Sequence, residues 1–238
     1  MKKSNSTLKK IGKVLLAALL TIIVVLFGLF LVYDESVPQG ENPKEADELA
    51  KRMLEAVHHE EYKNTRFIEW SFVGQHQYKW DKEQNLVEIT WDNYEVQLNT
   101  RNNDASSVKK DGAELEGDAR KEVIEQAVGF FNNDSFWLVA PHKVFDPGTE
   151  RLLVPLENGE QGLLVRYTSG GSTPGDAYLW MFDEAGLPKS FKMWVSVIPI
   201  GGAEASWDNW TTTESGTLLP SSHKFFFLDM TLGDVKAY

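Results

Sequence analysis

The chain has 238 residues, 35 of them acidic and 24 Lys or Arg, and it contains no cysteine. Without cysteine there can be no disulfide, no thiolate nucleophile, no cysteine-ligated metal and no lipidated N-terminal cysteine. Five lysines precede Val14, which leaves 19 Lys+Arg against 35 Asp+Glu and a net charge of −16 on the remainder. That balance excludes nucleic acid as a partner, since binding it needs clustered cations to displace phosphate counterions. It also disfavours lying flat on anionic headgroups.

Residues 1–13 are a basic start, and Val14–Val32 follows as nineteen residues without a charge. As a helix this stretch would reach about 28 Å, close to the thickness of a hydrocarbon core. A cleavable signal has a shorter apolar region, of about 7–15 residues, and a small-x-small site. Here Leu31-Val32-Tyr33-Asp34 follows instead. The expected reading is an uncleaved transmembrane anchor over 14–33, with the lysines inside and the rest facing outward from the cytoplasmic (inner) membrane, into the periplasm or an equivalent space. A linker over 34–42 and a single exported domain over 43–238 complete the predicted organisation.

Asn42-Pro43-Lys44-Glu45 reads as a helix start, with Asn42 as N-cap, Pro43 at the first helical position and Glu45 closing a capping box. Ala46, Leu49, Ala50, Met53, Leu54 and Val57 recur at helical spacing, so the helix should run to about His59–Tyr62. From Thr65 the period changes to two. Ile68, Trp70 and Phe72 alternate with polar residues, as do Tyr78 and Trp80, then Val87, Ile89 and Trp91, then Tyr94, Val96 and Leu98. Four such strands predict an antiparallel meander with one apolar face. Arg101–Asp118 reads as a loop, and a second helix is expected from about Asp118 to Phe131. Asn133-Asp134-Ser135 would cap one further turn that stops at Pro141. Six further strands are predicted near 151–155, 162–168, 177–182, 190–197, 205–212 and 224–230, with Asp183–Gly186 as a hairpin turn and Gly170-Gly171-Ser172 as turn chemistry. The predicted class is α+β: a large curved antiparallel sheet, a half-open barrel, covered by two amphipathic helices.

This order of elements resembles the lipoprotein-carrier-like superfamily of envelope proteins. The resemblance rests on the N-terminal helix, the aromatic strands after it, Phe131-x-x-Asp134-x-Phe136-Trp137-Leu138, Pro141-x-Lys143, and the hairpin Trp180–Pro188. It is architectural and spans roughly 43–229. It implies a hydrophobic cavity between sheet and helices, suited to an acyl chain. An anchored chain departs from the soluble carriers, because a tethered domain cannot shuttle between membranes.

Aromatic residues make up 12% of the chain. Trp70, Tyr78, Trp80, Trp91, Tyr94, Trp180 and Trp194 fall on predicted strands and are the candidate ligand-binding residues for a lipid or other apolar molecule; filling of the core is the competing role. His58-His59-Glu60-Glu61 offers metal-ligand atoms, but adjacent helical residues point about 100° apart, so no metal or cofactor is expected. His76, His142 and His223 are isolated in sequence, and acid pairs such as Asp92/Glu95 or Asp208/Glu214 are expected by chance among 35 acids. The chain is therefore not expected to be an enzyme. Ile198–Ala203, an apolar tip beside glycines, is either a lid or partner loop or a corner tucked under the cover helix. The functional expectation is a membrane-anchored lipid-binding domain. The alternatives are an interaction or scaffold module with a filled core, docking to another envelope protein, and an unrecognised hydrolase.

Overall fold

The computed structural model describes residues 11–21, 28, 33–169 and 175–238. Most of the basic start, much of Val14–Val32 and Gly170-Gly171-Ser172 therefore lie outside the described residues. Residues 11–21 are helical and exposed. Among the described residues no helix is long and apolar enough to cross a membrane.

From Pro43 onward the chain is α+β, with large antiparallel sheets and few helices. Helix α1 (Pro43–Ala56) and the short α2 (His59–Asn64) lead into strands β1 (Phe67–Phe72), β2 (His76–Asp81), β3 (Leu86–Trp91), β4 (Tyr94–Asn99), β5 (Ser107–Lys110) and β6 (Ala113–Glu114). Helix α3 (Gly117–Val139) then crosses to β7 (Thr149–Pro155), β8 (Gln161–Tyr167), β9 (Ala177–Phe182), β10 (Pro188–Trp194) and β11 (Ala203–Ser206). The small pair β12 (Thr211–Thr212) and β13 (Leu218–Leu219) precedes β14 (Ser222–Phe225), β15 (Leu228–Thr231) and β16 (Lys236–Ala237). Two seven-stranded sheets result, in the orders β16-β1-β2-β3-β4-β5-β6 and β15-β14-β11-β10-β9-β8-β7. They touch where the amides of Ser71 and Val73 donate to the carbonyls of Leu232 and Thr231, at 3.0 and 2.9 Å. Strands β6 and β7 do not pair with each other, so no closed barrel forms among the described residues.

The alternation in β1–β4 puts Ile68, Trp70, Tyr78, Val87, Ile89, Trp91, Val96 and Leu98 in the core and leaves Glu88, Thr90, Glu95 and Gln97 outside. A one-residue slip would reverse both sets, which fixes the register. Leu163, Val165, Trp180, Phe191, Met193 and Ala205 line the same core from the second sheet. The other face of that sheet carries a smaller apolar cluster of Val154, Leu164, Ala177, Leu179, Met181 and Trp194.

Several predicted boundaries move. Asn42 adopts left-handed backbone (φ 51°) and its side chain caps nothing. The first helix breaks at His58, also left-handed (φ 54°), so His58 and His59 belong to different elements. Part of the predicted loop 101–118 is the β5–β6 hairpin, whose short exposed strands carry almost no period-two signal. The second helix runs unbroken through Asn133-Asp134-Ser135. Asp134 turns inward there, so its preference for capping is overridden by tertiary bonds. The segment 224–230, read as one strand, is the β14–β15 hairpin. Its turn, Phe226-Phe227, contains none of the residues that mark turns.

The predicted linker is a docked strap. The Glu35 amide donates to the Gly201 carbonyl (3.0 Å), the Gly201 amide donates to Asp34 Oδ1 (2.9 Å), and the Trp194 indole donates to the Glu35 carbonyl (2.7 Å). Lys192 Nζ lies 2.7 Å from each Glu35 carboxylate oxygen, and Glu41 pairs with Leu153 on the outer edge of β7. Pairing that edge removes a row of open backbone groups. A Cβ on Gly40 would sit 2.5 Å from Leu152 Cβ, and one on Gly201 would sit 2.4 Å from the Glu35 carbonyl oxygen. Gly40→Ala and Gly201→Ala should each cost about 1–3 kcal/mol of strap docking. Cleavage by a glutamate-specific protease at Glu35 and Glu41 should then accelerate about tenfold or more, measured as limited proteolysis under native conditions.

Candidate functional site

The interior between the two sheets is where the candidate residues must be judged, and α3 sends rings into it from both of its faces. Its consecutive residues Phe130 and Phe131 face the first sheet. Phe131 lies 6.3 Å from Trp70, 6.5 Å from Tyr78 and 5.2 Å from Trp80, and Phe130 lies 4.0 Å from His76 and 5.4 Å from Trp91. Six residues later Phe136 and Trp137 face the second sheet, 4.5 Å from Tyr178 and 5.6 Å from Phe191 respectively. Offset and edge-on packing at these distances is the favoured geometry of aromatic pairs.

Of the seven sequence candidates, Trp70 and Tyr78 stack on each other at 4.4 Å, and Trp91 and Tyr94 stack at 5.3 Å. Trp80 is half-buried against Phe131. Trp180 is 0% exposed and stacks on Phe191 and Trp207, each at 5.4 Å. Trp194 stands on the opposite face of the second sheet, holding the strap. Six candidates therefore share one aromatic interior, and the seventh has a separate neighbourhood. Two hollows lie along the first sheet. One of about 480 Å³ is bordered mainly by Glu69, Ser71, Gln77, Lys79, Glu88 and Thr90, and also by the candidates Trp70 and Tyr78; one of about 280 Å³ is bordered by Glu95, Gln97 and Lys109 together with Ile89 and Val96.

Inside, one polar constellation escaped the sequence reading. Asp134, 1% exposed, accepts from the Tyr78 hydroxyl (2.5 Å) and from the Asn133 side-chain Nδ2 (2.8 Å), and its Oδ2 lies 2.6 Å from His76 Nδ1. Burial, and next the negative charge of Asp134, push the Tyr78 hydroxyl well above its ordinary pKa, so it stays a donor. The sequence signal at this place was an acid within a polar run, Asn132–Ser135, between the ring pairs Phe130-Phe131 and Phe136-Trp137. A second cluster stacks His142 on Tyr62 at 4.0 Å and on His59 at 5.5 Å. Lys82 Nζ lies 3.7 Å above the Tyr62 ring and donates to the Tyr62 carbonyl. Burial lowers Lys82 to about 8. Burial, and then the neighbouring His59, bring His142 down to about 3. The turn at His58 sends its ring to the Gly216 carbonyl (2.8 Å), away from this cluster. Among the described residues no three His, Asp or Glu side chains gather as a metal ion would require.

Two consequences are measurable. Removing Asp134 leaves the Tyr78 hydroxyl and His76 without their buried acceptor, so Asp134→Ala should lose about 3 kcal/mol in urea unfolding followed by tryptophan fluorescence. His142 stays neutral in the folded state, whereas in the unfolded chain it takes up a proton below its ordinary value of 6.5. Stability contributed by this site is therefore complete above pH 6.5. It falls by about 1.4 kcal/mol per pH unit as the pH drops towards 3. His142→Phe, which keeps the stack on Tyr62, should remove that share of the slope between pH 6.5 and 4.

No protein-family model matches this chain, and no curated protein matches it. Among solved structures it is similar to a DUF1329 family protein from Desulfovibrio piger, with a TM-score of 0.40 and 10% identity. The match covers 82% of this chain and 93% of that one. A likeness this slight transfers neither site nor activity.

Proposed function

We propose that this chain is a single-pass, membrane-anchored envelope protein whose outward domain is a non-enzymatic interaction module with a filled core. The apolar run Val14–Val32 between a lysine-rich start and an acidic body supports the anchor. The observation that carries the module reading is the interior itself. Rings from α3 interlock with both sheets, and the two hollows along the first sheet are bordered mainly by polar side chains. Binding of a drug- or lipid-sized ligand requires a concave, largely preformed apolar space. The polar hollow beside Lys79 and Glu88 is the kind of surface a protein partner would contact.

A second reading, lipid or apolar-ligand binding, has one observation in its favour. The indole N–H groups of Trp70, Trp180 and Trp207 are buried with no acceptor among the described residues. Each such group costs about 1–3 kcal/mol, which a ligand's polar head would recover. Native mass spectrometry of the full chain in a neutral detergent, after incubation with fatty acid and with phospholipid, separates the two readings. The filled-core reading expects the apo mass alone once detergent is stripped. A retained adduct lost in Trp180→Phe would replace it with the ligand-binding reading.

A further inference from the structure

Strand register places the loops of the second sheet at a definite end of the molecule. Phe225 of β14 pairs with Ala205 of β11, and these strands are antiparallel, so the Phe226-Phe227 turn lies beyond the Ala203 end of β11. Ala203 pairs with Met193, so the loop 195–202 between β10 and β11 emerges at that same end. The Ser71 and Val73 amides bond in turn to the Leu232 and Thr231 carbonyls, so β1 runs towards this end and the β1–β2 turn points the same way, level with the Thr231 end of β15. Asp34 and Glu35 bind Gly201 of the same loop, so the chain following Val32 joins the domain at this end.

Apolar exposure is concentrated on this rim. From Asp34 onward the four most exposed large apolar side chains are Phe227 (91%), Val197 (74%), Phe226 (64%) and Leu228 (50%), and all four lie here. Backbone conformation marks the same places. The two-residue hairpin turns Asp92-Asn93 and Asp111-Gly112 use residues suited to left-handed backbone, with φ 47° at Asp92 and 53° at Asp111. The equivalent turn Phe226-Phe227 puts an aromatic at φ 53°. A bulky residue is unfavourable for that backbone. An exposed apolar cluster on a strained turn is a mark of a surface meant to be covered.

We propose that this rim, chiefly Phe226-Phe227-Leu228 and Val197, inserts into the outer interface of the membrane that holds Val14–Val32. The proposal rests on the anchor reading above. Its occupant is a lipid surface because the rim is continuous with the point where the apolar run meets the domain, and the strap fixes that point against loop 195–202. The rim's ion pair, Lys192 with Glu35, leaves no surplus of cations for anionic headgroups. Insertion is therefore apolar, proceeds on zwitterionic bilayers and is insensitive to salt.

The absence of cysteine makes single-site labelling unambiguous. Four full-length variants, Leu20→Cys, Val197→Cys, Phe227→Cys and Gln84→Cys, carry an environment-sensitive fluorophore in phosphatidylcholine nanodiscs with and without brominated acyl chains. Gln84 lies in the β2–β3 turn, at the opposite end of the first sheet from the β1–β2 turn. Labels at 20, 197 and 227 should lose most of their emission to brominated lipid, at low and at high salt, and the label at 84 should lose none. Quenching at 20 with aqueous emission at 197 and 227 overturns the docking proposal and leaves the anchor standing. Quenching at 197 and 227 but not at 20 supports docking and overturns the anchor, and no quenching at any of the three overturns both. Blue-shifted but unquenched labels at 197 and 227 mean that protein, a second copy or another chain, covers the rim, which also overturns the proposal.

Discussion

Four rings on two turns of one helix hold this domain together. Phe130 and Phe131 pack into the first sheet, and Phe136 and Trp137 into the second. Each sheet has an apolar inner face, and among the described residues the two touch by backbone where Ser71 and Val73 meet Leu232 and Thr231. A 23-residue helix, about 34 Å long, can span both. It must then be apolar on two sides, which is why α3 shows no single clean stripe.

That arrangement explains the buried carboxylate. A helix crossing between two sheets carries its backbone through the core, and the side chain of Asp134 turns to the first sheet, where His76 and the Tyr78 hydroxyl meet it. The hydrogen bonds tie α3 to β2 at a defined depth, while the rings around them supply contact area without direction. Burying a charge is tolerable only with such partners. The same logic separates the second histidine cluster, where His142 is buried and Lys82 half-buried, neither with a carboxylate in bonding distance among the described residues, and burial shifts both towards neutrality.

The strap gives the fold a polarity. A flexible linker would let the domain tumble at the end of its N-terminal segment. A strap bonded to Gly201, Trp194, Lys192 and Leu153 fixes the end of the domain nearest that segment. It also covers part of the outer apolar face of the second sheet, so one stretch of chain serves stability and orientation together. Nothing in DESVPQGE announces this by composition. Its contacts are backbone groups, the Asp34 and Glu35 carboxylates and two glycines that admit close approach, and their partners come from segments more than a hundred residues away.

The sequence by itself determined the elements whose periodicity answers to one neighbouring surface. β1–β4, with Trp70, Tyr78, Ile89, Trp91 and Val96 facing one way, and α1, with Ala46, Leu49, Ala50 and Met53, are legible because alternation or helical spacing is set locally by which face is dry. It also determined the absence of thiol chemistry and the acidic character of the body. Tertiary structure alone decided the rest. It decided that rings of α3 meet both sheets, since that depends on how far α3 enters between them. It decided that Asp134 is a buried acceptor and that Phe226-Phe227 is a turn, because long-range bonds and strand pairing overruled local preference at both. And it decided that a strap, a β-hairpin loop and a strained aromatic turn share one rim, because strand register brings together residues that sequence keeps far apart.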